Sequence, residues 1–403
     1  MLNKSDKGIT SVFRNSQSFF KARAAILMLF ALCGLVFASW ASRIPETQIE
    51  LSLSYQRLGF ALLGSAAGSL VALPFAGWLT TFMGSGRLTG ISAFGLSILL
   101  SAIALADNFW KLTVTLFFFG VLYNCLTIAV NTQAALFEQK AKKPAMSSFH
   151  SFFSFGGMSG AIIGALMAQS KVDRLTHFLL ITVSMIILTV ISVPFLLQKN
   201  KSLEVTSYFP KRTIFNYKEA YLLLVVLGLI GFCGIFGEGA MADWSAVYLK
   251  QVLGTSEGLA ASGYAVYSLT MAIGRLSGDI LRTRIGDIRL LQVGAGLASI
   301  SFAVSLISES AFISLLAFAG VGFGYSTIVP IIFSIAGKVP NISSGVAISI
   351  VTTIGYLGIL SAPPLIGFLA QLFGLRGALI IIPILSFLII LISPVLKENT
   401  NID

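Results

Sequence analysis

Two carboxyls and one guanidinium interrupt runs of residue that are otherwise free of charge. Glu238 and Asp243 fall well inside one apolar stretch and Arg275 inside the next. An ionisable group in such surroundings costs a few kcal/mol or more to insert, so each is a candidate for function. A buried carboxyl pulled one way by desolvation and the other by a nearby arginine can exchange a proton, which makes Glu238 and Asp243 candidates for proton coupling. Five residues apart, they would be rotated by about 140° on a regular helix and would not share one surface, unless Gly234, Gly237 and Gly239 break it. For Asp243 a structural ion pair or a cap at an outer mouth is the alternative. His150, among Ser148, Phe149 and Phe152, is a third candidate for coupling because a histidine titrates near neutrality.

Other polar residues recur at helical spacing. Asn124, Asn131 and Glu138 are seven apart and lie on one helical face with Thr127, whereas Gln133 points the other way. Such a stripe lines a polar cavity or hydrogen-bonds a neighbouring helix. Arg275 shares a face with Tyr264, Tyr267 and Met271, where a rigid guanidinium fork and two phenols could hold a ligand. Four residues on, Asp279 offers Arg275 a partner instead, and that pair, with Arg282 and with Arg87 in an earlier turn, is the candidate for a gate. Trp40 and Arg43 close the first apolar stretch, Trp40 as a possible ligand contact and Arg43 as an interfacial, snorkelling anchor.

These residues must be positioned by a bilayer-embedded helical bundle. The composition is 56% apolar and 11% charged, with a mean hydropathy of +0.89, and about 20 apolar residues cross a hydrocarbon core as a helix. The pattern predicts twelve spans near 23–43, 56–83, 88–106, 111–137, 146–169, 175–197, 219–248, 258–281, 289–307, 311–336, 345–372 and 376–395. Most of the 27 Lys and Arg residues fall on the side that carries the termini, which the positive-inside rule makes cytoplasmic. That asymmetry and anionic headgroups account for the net charge of +11 without a nucleic-acid partner. The basic N-terminus runs into a first stretch too long for a cleavable signal. Cys33, Cys125 and Cys233 lie inside spans with no CxxC or His-rich cluster, so neither a metal nor a cofactor is expected.

The longest polar interruption, about 198–218, separates six spans from six, dividing the chain into a bundle over 1–197 and another over 219–403. The halves echo one another: Cys33-Gly34 precedes Gly77 by 44 residues and Cys233-Gly234 precedes Gly278 by 45. Repeats joined at a midpoint mark transporters, whose sites lie between the halves. The turn GWLTTFMGSGR after the second span, with Gly77, Leu79, Gly84 and Arg87 in place, resembles the loop 2–3 signature of the major facilitator superfamily. Thr81 stands where that family usually has Asp, and GRLSGDILRTRIG in the second half could supply the lost pair through Asp279 and Arg282. The strings VNTQAALFEQ, MSSFHSFFSFGGMSGA, EGAMADWSAVYL, MAIGRLSGD and SAPPLIGFLA resemble a bacterial branch of the family distantly similar to fucose and sugar permeases.

The resemblance implies an all-α membrane protein of twelve transmembrane helices in two pseudo-symmetric six-helix bundles. It also implies a monomeric secondary transporter of the bacterial inner membrane, with both termini cytoplasmic. No phosphate loop, GxSxG or HExxH is present, so ATP hydrolysis and enzymatic activity are not expected. Proton-coupled symport of a sugar or organic acid is the expected activity; proton-driven efflux of a metabolite or drug, or a transporter-like sensor, is the alternative. The expected partners are a small-molecule substrate, protons and the lipid bilayer.

Overall fold

The computed structural model describes residues 4–141, 145–197, 217–337, 339, 342 and 344–396. Its elements are α1 (Lys4–Ala41), α2 (Ile44–Glu50), α3 (Tyr55–Phe82), α4 (Ser85–Ala104), α5 (Phe109–Ala141), α6 (Met146–Gln169), α7 (Arg174–Ser192), α8 (Tyr217–Gln251), α9 (Glu257–Ile285), α10 (Asp287–Ile307), α11 (Ala311–Tyr325), α12 (Ile328–Ala336), α13 (Ser344–Ala378) and α14 (Ile381–Ile392). There is no strand among the described residues. Most of the expected linker, 198–216, lies outside them.

All twelve expected rods are present. Ten are long and apolar enough to cross a membrane by length and composition; the others are α9, which carries polar residues of the site described below, and the last rod. Gly374 at φ 74° breaks α13, so the twelfth rod starts there and continues through α14. The tenth is α11 and α12, offset at Ser326 and Thr327. The unforeseen element is α2, a short helix on the face opposite the chain ends, hereafter the far face. Side chains set the helix starts on that face: Ser54, Asp173, Ser256 and Ser310 each accept from a backbone N–H three residues on. Asp173, between spans, is held below the usual carboxylate range by the Thr176 hydroxyl and N–H.

Packing repeats in the two halves. In the first, α1 packs on α6, α3 on α5 and α4 on α7; in the second, α8 packs on α13, α9 on α11 and α10 on α14. In rod order these are the same pairs, first with fifth, second with fourth and third with sixth. Glycines permit the close approach of α1 and α6: a Cβ on Gly156 would strike the Ala31 carbonyl, one on Gly160 the Leu35 carbonyl, and one on Gly164 the Ser42 side chain. Small residues let transmembrane backbones touch, gaining van der Waals contact that lipid cannot match.

Arg43 is not a lipid-facing anchor. It is 1% exposed, and Trp40 is 2% exposed. Its guanidinium donates to His177 Nδ1 (3.2 Å), to Glu46 (2.5 Å) and to the Val172 carbonyl (2.7 Å). Beside it Arg174 donates to Thr47 Oγ1 (2.7 Å) and pairs with Glu50. Two arginines thus tie α2 to α1 and to the start of α7, while α2 packs across on α8 of the other half. Forks with several acceptors each make burial of these charges tolerable, where a snorkelling side chain would have left them in water.

Candidate functional site

The halves meet along two seams, α6 against α9 and α3 against α13. Between them lies a cavity of about 200 Å³. Its walls come from α1 (Phe37, Trp40), α3 (Leu62, Ser65, Ser69), α5 (Tyr123, Asn124, Thr127), α6 (Phe153), α8 (Ile235, Glu238, Asp243), α9 (Tyr264) and α13 (Tyr356, Pro363). The aromatic groups are packed on one another: Phe37 lies 5.6 Å from Tyr123 and 6.2 Å from Tyr264 between ring centres, and Tyr264 stacks on Tyr267 at 5.7 Å. Packed rings hold a rigid wall and leave the polar groups little freedom to collapse on one another.

Of the residues singled out from sequence, the fold brings Trp40, Asn124, Thr127, Tyr264, Glu238 and Asp243 to this cavity. The helix α8 is regular through its glycines, yet Glu238 and Asp243 both border the cavity, so the expectation that a regular helix separates them is corrected. The reason is tertiary. The cavity follows α8 for about two turns, from Ile235 through Glu238, Gly239 and Ala242 to Asp243, so carboxyls at two depths border one hollow. Glu238 Oε2 lies 3.6 Å from Arg275 Nη2, whose other nitrogen donates to Ser154 on α6 (3.0 Å). Glu238 Oε1 is buried without a hydrogen-bond partner. One charge pair therefore links α8, α9 and α6 at the junction of the halves.

The other singled-out residues lie elsewhere. Asn131 donates to the Thr127 carbonyl (2.8 Å) and meets His150 Nε2 (3.1 Å), tying α5 to α6 beyond the cavity wall. Tyr267 is 3% exposed, with a hydroxyl lacking a partner, behind Tyr264. Glu138, the end of the amide stripe, accepts from the backbone N–H groups of Ala145 and Met146 and so caps the start of α6. Gln133 faces away, bonding Ser85 and the Leu197 backbone. Arg87 is exposed in the first turn of α4. Arg282 is held by Asp287 through two bonds (2.8 and 2.9 Å) and by Ser334 (2.9 Å), joining α9, α10 and α12. Asp279 sits on α9, and its side chain, like that of Thr81, lies outside the described residues. Sequence reasoning did not single out Ser65, Ser69 or Tyr356, because they come from two helices whose proximity no local pattern encodes.

The far face is closed across the halves. Tyr55 meets Trp244 with ring centres 6.5 Å apart. A Cβ on Gly367 would lie 2.7 Å from the Tyr55 carbonyl and 3.0 Å from the Gly59 Cα, so α13 and α3 touch backbone to backbone. Gly258 on α9 similarly abuts Gln169 and the Ala165 carbonyl of α6. A Gly367→Val substitution cannot be absorbed by a side-chain rotation and costs about 1–3 kcal/mol in this arrangement alone. The expected outcome is a several-fold rise in labelling from the far face of a single cysteine at Ala66, which lines the cavity from α3, in a background lacking Cys33, Cys125 and Cys233. An unchanged labelling rate in a folded protein would show that the α3–α13 contact does not hold that face shut.

Comparison with known proteins bears on the family. Residues 24–361 match the Major Facilitator Superfamily description. An uncharacterised MFS-type transporter of Yersinia pestis is 33% identical over 352 residues, covering 87% of this chain and 89% of that protein. Membrane protein MosC of Rhizobium meliloti is 31% identical over 364 residues, covering 89% of this chain and 86% of its own. Among solved structures, a bacterial homologue of the human lysosomal transporter Spinster, inward-facing and unoccupied, superposes with a TM-score of 0.75 at 14% identity over 95% of this chain and 98% of that one. The nucleoside transporter NupG superposes with a TM-score of 0.69 at 12% identity, covering 94% of this chain and all of that one (100%). Those two likenesses concern the fold, while the match along most of the sequence and the relatives above 30% identity establish the family: the chain belongs to the Major Facilitator Superfamily and is a multi-pass membrane protein built for transport.

Proposed function

We propose that the chain is a proton-coupled secondary transporter that carries a small polar solute by alternating access, in the inner membrane of a bacterium and as a monomer. Both termini are cytoplasmic in this reading, so the closed far face is the outer one. The halves 1–197 and 219–403 rock about the cavity, with 198–218 as their tether. The observation that carries the proposal is the Glu238–Arg275 pair. It bridges α8, α9 and α6 beside the cavity, where loading a proton on Glu238 weakens the pair and frees Arg275 from α8 while it stays bonded to Ser154 on α6. Proton loading and movement of the two halves are then one event.

The test uses the purified full chain. Compounds that raise its melting temperature in a metabolite screen are offered to liposomes containing the protein under an imposed pH gradient. Saturable accumulation that a protonophore abolishes is the expected result. Compounds that bind without crossing would make the protein a sensor, and flux indifferent to the gradient would remove the proton from the mechanism.

A further inference from the structure

The ionisable groups that line the cavity are acids. Of its two carboxyls, Glu238 is matched by Arg275, but Asp243 has neither an ion pair nor a hydrogen bond from any described residue. No lining residue is basic among those described. Asn124, 5% exposed, also faces this space, and its Oδ1 has no partner. Glu238 Oε1 is likewise unmatched. Asp243 therefore borders the hollow as a carboxyl with no cation opposite it among the described residues. A carboxylate formed here would cost free energy unless something that enters supplies positive charge and donors.

The walls suit a cation too. Rings of Phe37, Trp40, Tyr123 and Tyr264 line the same cavity as Asp243. Aromatic faces carry negative charge density and attract ammonium groups, most strongly where water is excluded. An organic acid placed here would instead face an uncompensated carboxylate.

We infer that the carried solute is a small organic cation, a protonated amine that also bears hydroxyl groups, with its ammonium on Asp243 against the aromatic wall and its hydroxyls toward Asn124. The inference rests on the transport reading and names the substrate class of that cavity. It assigns Asp243 to the ligand and leaves proton coupling to Glu238.

The experiment compares charge-matched probes on the full-length protein in detergent: glucosamine with glucose and gluconate, and ethanolamine with ethylene glycol and glycolate. Thermal stabilisation and calorimetric binding are expected for at least one amine and for neither of its counterparts at equal concentration. Asp243→Asn is expected to weaken that binding at least about tenfold, and Asp243→Glu to keep most of it. Equal or better binding of a neutral or anionic counterpart, failure of both amines, or an Asp243→Asn protein that binds the amine like the parent would each overturn the assignment. Flux in liposomes separates this outcome from the broader reading. An amine that binds but does not cross leaves the site intact and ends the carrier proposal, whereas saturable flux of a neutral or acidic solute does the reverse.

Discussion

Replacing Glu238 by Gln is expected to abolish accumulation driven by a pH gradient while leaving solute exchange across the membrane measurable. The amide keeps the size of the carboxyl and much of its hydrogen-bonding capacity, so the cavity stays formed, but it cannot take up a proton. Among the described residues Arg275, with its side chain 14% exposed, is then left with Ser154 as its remaining partner. An unpaired buried charge is destabilising by several kcal/mol, and this could be mistaken for a loss of mechanism. A Glu238→Gln, Arg275→Gln double variant restores neutrality and separates the two effects. It should recover thermal stability without recovering accumulation. Exchange is read as counterflow of labelled against unlabelled solute with no gradient imposed. Undiminished gradient-driven accumulation in a well-folded Glu238→Gln protein would take this carboxyl out of the coupling step.

The second large effect concerns stability. Arg43→Ala removes three donated bonds at once from a site that is 1% exposed, those to His177, Glu46 and the Val172 carbonyl. It leaves the Glu46 carboxylate without its cation and opens a void the size of a guanidinium. Breaking one side of a buried pair typically costs about 3–5 kcal/mol. Arg43→Lys should recover only a fraction, because an ammonium on a flexible stem cannot serve three acceptors in the planar geometry of the fork. The measurement is thermal unfolding in detergent, followed by exposure of the buried cysteines Cys33, Cys125 and Cys233 to a thiol dye. Arg87→Ala is the control, since an exposed side chain in the first turn of α4 should change stability by less than about 0.5 kcal/mol. Equal melting of the Arg43→Ala and Arg87→Ala proteins would mean that the α1–α2–α7 cluster is ornamental to stability. Because α2 also packs on α8, loss of Arg43 should loosen closure of the far face as well.

Much of the architecture was written locally. The length and spacing of the apolar runs specify twelve rods, since a backbone in hydrocarbon must satisfy its own hydrogen bonds and does so as a helix. The amide stripe read from sequence brings Asn124 and Thr127 to the cavity, while its next member, Asn131, bonds a neighbouring helix instead. Those signals are local because helical periodicity places residues on faces without reference to the rest of the chain. What each face meets is a different matter. Among the described residues the partners of Arg275 are Glu238 on α8 and Ser154 on α6, which are 37 and 121 positions away, and no spacing rule points there. Asp279, four residues along the same helix, was the neighbour that local reasoning could see. Arg43 read as a snorkelling end residue because its three partners come from α2, from the turn before α7 and from α7 itself. The two carboxyls of α8 read as belonging to different surfaces because a helical wheel has no depth. Sequence by itself determined the rods, their order and which of their residues are too polar for lipid; tertiary packing alone decided which of those residues share a cavity and which neutralise one another. The division is physical: a helix is held by bonds between residues four apart, whereas a binding site is held by contacts between helices that the chain brings together only after every rod has formed.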